Sequence, residues 1–158
     1  MSNKIQFVLI IILIPIGGLF LYLHNQHITV QEFFFPSSPI VHFGDIPVRV
    51  EVADTESKRI QGLSGRDEIG NHNAGMFFIF PKADYLGIWM KDMKFPIDII
   101  WIDENLTVIG IEQDVSPNTY PRVFRPQNPA KYVLETEVHY ADLVGIRVGQ
   151  KVRIPLEK

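Results

Sequence analysis

The chain opens on an almost unbroken apolar run and then changes character. Residues 5–23 hold one strongly polar side chain, Gln6. As a helix rising 1.5 Å per residue, this run spans roughly 28 Å, the hydrocarbon thickness of a bilayer. Pro15 and Gly17-Gly18 would weaken a helix in water and are better tolerated in lipid. A cleaved secretory signal is the rival reading. It calls for a shorter apolar stretch and a small-x-small site, whereas this run ends Leu21-Tyr22-Leu23-His24. The expectation is a retained transmembrane anchor over residues 1–23. Lys4 and the terminal amine precede the span and no Lys or Arg follows it until Arg49. The positive-inside rule therefore puts the N-terminus in the cytoplasm and the remainder outside it, periplasmic or at the cell surface.

Residues 24–44 read as a linker, with Pro36-Ser37-Ser38-Pro39 stopping any helix. From residue 45 to 158 the pattern shortens into strands and turns. Val48, Val50 and Val52 alternate with Arg49 and Glu51, the period of a half-buried strand. Asp54 or Thr55 is placed to cap a short helix that ends near Gly62. Met76-Phe77-Phe78-Ile79-Phe80 is apolar on both faces and stops at Pro81. Residues 97–102 predict a strand that turns at Asp103-Glu104-Asn105 into a second one over 106–112. Residues 132–135 and 151–154 predict two more strands, with a helical turn over 139–144 closed by Gly145. The expected fold class is mainly β: a small β-sandwich or barrel-like domain with short helices, preceded by one transmembrane helix.

Composition narrows the chemistry. The chain has 158 residues, 15 Lys+Arg against 18 Asp+Glu, and no cysteine. The absence of cysteine excludes disulfides, thiolate zinc sites and a cysteine nucleophile. No basic block offers a nucleic-acid phosphate track. His24 and His27 stand one helical turn apart, a possible metal pair, but two ligands without a third make a poor site, and His72 and His139 lack metal-ligand spacing, so neither a metal nor another cofactor is expected. Met76, Met90 and Met93 could offer thioethers to copper, but methionine is far more often core filler.

The densest polar stretch is Trp89-Met90-Lys91-Asp92, followed by Asp98. On its strand Asp98 shares a face with Ile100 and Ile102, so its carboxylate must be paired, hydrogen-bonded or protonated. Arg66, Lys91 or a backbone amide are the partners considered. An exposed Trp89 beside Lys91 and Asp92 would make a platform for a sugar ring or a partner side chain; a buried one would be ordinary core. Glu135 could join Asp98 as a two-carboxylate hydrolytic site, and the plainer expectation for it is a solvated or salt-bridged side chain. Ser64 sits in Gly62-Leu63-Ser64-Gly65, which is not a nucleophile elbow.

These stretches in this order, from Gly62-Leu63 through Gly75-Met76-Phe77-Phe78, Trp89-Met90-Lys91-Asp92, Pro96-Ile97-Asp98-Ile99 and Tyr132-Val133-Leu134-Glu135 to Gly145-Ile146-Arg147-Val148-Gly149, resemble the prokaryotic family catalogued as domain of unknown function 192. The resemblance runs from about Val48 to Ile154. It implies a compact, mostly β fold, often exported or membrane-tethered, and no established activity. The family's signature falls on Arg66, Trp89, Lys91, Asp98 and Glu135. The chain departs from it at Ser64, where Met is usual, at Asp92-Met93 in place of Asn-Thr, and at Gln150 in place of Asp. It also lacks the cysteine pair that many members carry in the loop corresponding to 115–121.

The leading expectation is a non-catalytic binding or assembly module at the cell membrane, anchored through residues 5–23, with cell-envelope glycan or an envelope protein as its partner. The binding surface would be Trp89, Met90, Lys91 and Asp92, with Arg66 and Asp98 bracing it. The alternative is an envelope hydrolase using Asp98 with Glu135 or Lys91. A third reading is a structural module whose signature serves the fold alone.

Overall fold

A computed structural model describes residues 38–70 and 74–154. The expected membrane span, and with it the choice between anchor and cleaved signal, lies outside the described residues. Among those residues no helix is long and apolar enough to cross a membrane.

Among the described residues are nine strands, two short α-helices and one 3-10 turn (Pro117–Thr119): β1 (Ile40–Phe43), β2 (Ile46–Ala53), α1 (Glu56–Gln61), β3 (Gly75–Asp84), β4 (Ile88–Trp89), β5 (Ile97–Ile102), β6 (Val108–Val115), β7 (Val123–Phe124), β8 (Ala130–Glu137), α2 (Tyr140–Val144) and β9 (Val152–Arg153). Seven strands form one sheet in the order β6-β5-β8-β3-β2-β1-β9, and β4 pairs with β7 in a separate ribbon. The β2–β3 pair is parallel, with α1 in the crossover between them. The other strand pairs run antiparallel.

The sequence of β5 explains why this is one curled sheet and not the two sheets of a sandwich. All six residues of β5 are buried, so neither face of its sheet meets water. Ile97, Ile99 and Trp101 enter one apolar cluster with Met76, Phe78 and Val133. Ile100 and Ile102 enter the other, with Val41, Phe43, Val50, Phe77 and Leu134. A fully buried side chain of this kind contributes about 1.5–3 kcal/mol relative to an exposed one. The sheet curls into a half-barrel around the second cluster, bringing its two ends together. Thr107 forms an isolated bridge with Lys151, flanked by Val108 N–H to Gln150 O at 3.0 Å and Val152 N–H to Leu106 O at 2.8 Å. The first cluster lies on the opposite face, roofed by Leu63, Ile69 and Met90 and by Ile88 and Phe124 of the ribbon.

β1 falls inside the stretch 24–44 expected to be linker. It pairs with β2 through the two-residue turn Gly44-Asp45, where Gly44 has φ +60°, the conformation such hairpin turns demand. The expected cap of α1 is present: the Thr55 hydroxyl accepts the Lys58 N–H at 3.3 Å, and Gly62 ends the helix with φ +48°. β3 continues past Pro81 to Asp84, but its ladder with β8 shifts register between Ile79 and Asp84, where proline has no N–H to donate.

Candidate functional site

Asp98 is fully buried, and its partners are backbone amides. Oδ1 accepts the N–H of Asp114 at 3.1 Å and of His139 at 3.2 Å. Oδ2 accepts the N–H of Ala141 at 3.1 Å. Each donor lacks another obvious partner. The β5–β6 register shifts between Ile97 and Ile99, and the bulge leaves Asp114, at φ +51°, out of the ladder. His139 and Ala141 begin α2, whose own N-cap side chain makes no hydrogen bond, so their amides need an acceptor from elsewhere. Asp98 therefore fastens the β6 bulge and α2 to the centre of the sheet. None of these hydrogen bonds reaches the Trp89 loop, which Asp98 was expected to brace.

Arg66 also has a different partner. Its guanidinium holds Glu51 of β2 in a two-pronged pair, Nη1 to Oε2 at 2.7 Å and Nη2 to Oε1 at 2.9 Å. This pairing holds the Glu51 carboxyl below its usual range and raises Arg66. Nη1 also reaches the Ile69 carbonyl at 3.3 Å. The pair is about one-third exposed, so water screens most of its contribution to stability.

The Trp89 loop is secured by the turn after α1. The Ser64 hydroxyl donates to the Lys91 carbonyl at 2.9 Å, and the Gly65 N–H donates to the Asp92 carbonyl at 2.7 Å. Ser64, dismissed as a nucleophile, is thus a positioning residue. Trp89, on the two-residue strand β4, is 52% exposed. Tyr120 lies beside it with ring centroids 6.0 Å apart, and the Lys91 Nζ is 5.9 Å from the Trp89 ring. Lys91 and Asp92 are exposed. Met90 is not part of this surface: at 1% exposure it points into the core. Met76 is buried as well and Met93 packs against the same cluster, so the three thioethers serve packing. Among the described residues no group of three or more His, Asp or Glu side chains could hold a metal.

Behind Trp89 lies a cavity of about 360 Å³. Its walls come from Ile60, Leu63, Phe78, Phe80, Ile88 and Ile97, and Trp89 is among its lining residues. Glu135 lines it too, only 6% exposed. It is largely buried and, among the described residues, forms no salt bridge. No described residue donates a hydrogen bond to its carboxyl, and burial pushes that carboxyl up to about 8. Arg59 of α1 lines the same cavity; its Nη1 donates to the carbonyls of Asp54 and Ile79 at 2.6 and 2.8 Å, and its guanidinium lies 5.4 Å from the Phe80 ring centroid.

The register separates the two carboxylates proposed as a hydrolytic pair. Asp98 stands opposite Thr136, and Glu135 stands opposite Ile99. Successive residues of a strand point to opposite faces, so the sheet itself lies between Asp98 and Glu135. Lys91 is not among the residues lining the cavity. Tyr120, Arg59 and the aromatic wall of Phe78 and Phe80 were not legible as site residues along the chain, because segments far apart in it assemble them.

Comparison with known proteins agrees with this architecture. A UPF0127 protein of Thermococcus sibiricus is 30% identical over 113 residues, 70% of this chain and 68% of the relative. A UPF0127 protein of Pyrococcus abyssi is 32% identical over 109 residues, 66% of this chain and 84% of the relative. The crystal structure of a protein of unknown function from Novosphingobium aromaticivorans superposes with a TM-score of 0.66 at 29% identity, covering 73% of this chain and 83% of that one. The profile of the family DUF192, described as an uncharacterized ACR, matches residues 40–154. The chain therefore belongs to the DUF192 family.

Proposed function

We propose that the chain is a binding module held outside the cytoplasmic membrane by residues 5–23, and that it recognises cell-envelope glycan on the surface around Trp89. The observation that carries this reading is an exposed tryptophan, flanked by Tyr120 and Lys91, at the edge of a preformed apolar cavity. Leaving a large aromatic ring in water is unfavourable unless a partner covers it. The flat face of a sugar ring, lined with C–H groups, suits such a platform, and Lys91 and Asp92 at its side suit hydroxyls. The turn at Ser64-Gly65 holds the loop in place before any ligand arrives, which lowers the ordering cost of binding.

Titration with soluble envelope glycan fragments, followed by calorimetry, tests the reading. Trp89→Ala weakens binding about tenfold or more while changing stability by no more than about 0.5 kcal/mol, as expected for an exposed side chain. A variant that unfolds, or that binds as well as the wild type, overturns the platform. The tether has its own test. The full chain fractionates with membranes, and protease added outside the cytoplasmic membrane digests the domain from residue 45 onward. Recovery in the soluble fraction contradicts the anchor.

A further inference from the structure

Glu135 is the buried polar group among the residues lining the cavity; Glu56, Arg59, Gln61 and Ser64 belong to its rim on α1 and the turn that follows. An unpartnered carboxyl in such a place calls for a ligand group that completes its hydrogen bonding. Resting on the glycan reading above, we propose that the cavity selects an N-acylated amino sugar, with the acyl-amide group against Glu135 and the sugar ring stacked on Trp89.

The complementarity is chemical. A protonated carboxyl offers an O–H donor and a carbonyl acceptor side by side. A trans secondary amide presents its carbonyl and its N–H on opposite sides, so the carboxyl meets one of them: its O–H donates to the amide carbonyl. The methyl of an acetyl group suits walls of Leu63, Phe78, Ile88 and Ile97. A cavity of about 360 Å³ lies within the range of small-molecule sites, roughly 300–1,000 Å³. Glu56 and Arg59 in the lining offset each other in charge and a protonated Glu135 adds none, so a neutral ligand suits the cavity. Glu135 is otherwise flanked by uncharged neighbours: Met76 stands opposite it on β3 and Ile99 on β5. The titratable or charged groups that share the cavity are Glu56 and Arg59 of α1; Glu137, next on the same face of β8, is exposed.

The protonated form is the one that binds, and burial keeps Glu135 protonated up to about pH 8. Above that pH the competent fraction falls, and apparent affinity falls with it. The full chain, purified in detergent, is titrated with tri-N-acetylchitotriose, with the deacetylated trimer and with cellotriose at pH 7 and pH 9. At pH 7 the acetylated trimer binds about tenfold or more tighter than cellotriose. By pH 9 its affinity drops about tenfold. Glu135→Gln removes that pH dependence, and Glu135→Leu removes the preference for the acetylated sugar. Equal, Trp89-dependent binding of acetylated trimer and cellotriose overturns the inference and leaves the glycan reading standing. Tighter binding of the deacetylated trimer, strengthening with pH, overturns it in favour of a cationic ligand. Binding of none of the three overturns the glycan reading itself.

Discussion

Asp98→Asn lowers the stability of the domain by about 3 kcal/mol or more. The substitution keeps the shape of the side chain and changes only what its second atom presents. Three backbone N–H groups converge on the Asp98 carboxylate, and all need an acceptor. An asparagine places an NH₂ donor against one or two of them, whichever way the amide is turned. Each buried donor left without an acceptor costs about 1–3 kcal/mol, and the remaining bonds lose the strength that charge adds. For a domain of this size the melting temperature falls by roughly 10 °C. Urea denaturation of Asp98→Asn, beside the exposed control Asp92→Asn, measures the loss. Amide hydrogen exchange localises it, with faster exchange at Asp114, His139 and Ala141. An unchanged melting temperature contradicts the fastening role.

That Asp98 needs a counter-group was legible from β5 alone, because both faces of that strand read as apolar. Which groups it meets was not. They sit 16, 41 and 43 residues away along the chain; the first depends on a bulge that no periodicity marks, and the other two begin a helical turn whose place against β5 only the fold decides. The strong local signals survived: the Val48-Val50-Val52 alternation, the Thr55 cap, the Gly62 stop and the paired strands β5 and β6. The weak ones misled. β1 has four residues and lies beside a proline-rich stretch, so its alternation was too short to separate from linker. β4 and β7 have two residues each, below the length at which a period can be read, and they set the exposure of Trp89. Glu135 shows the same limit from the other side. Its position on a strand face was readable, but whether that face meets water depends on α1, the 62–65 turn and the ribbon, which fold over it from three separate parts of the chain.

Glu135→Gln raises stability at pH 7 by about 3 kcal/mol. The carboxyl is raised from an ordinary value of 4.5 to about 8 by burial. Between those values the folded protein holds a proton that the unfolded chain has released, so folding must take one up. Stability from this group is fully present below pH 4.5 and is lost as pH rises, by about 1.4 kcal/mol per unit, until it levels off above pH 8. Glutamine has nearly the same shape, carries no titrating proton and escapes the loss. Urea denaturation of wild type and Glu135→Gln at pH 4, 7 and 9 reads the difference: near zero at pH 4, about 3 kcal/mol in favour of the variant at pH 7, and larger at pH 9. A residue that weakens the fold at neutral pH is not explained by the fold, and its place on a cavity wall points to a contact made there. Should the two proteins run parallel from pH 4 to pH 9, the carboxyl is ionised and hydrated in the folded state, and the cavity offers a charge to its ligand instead of an acid.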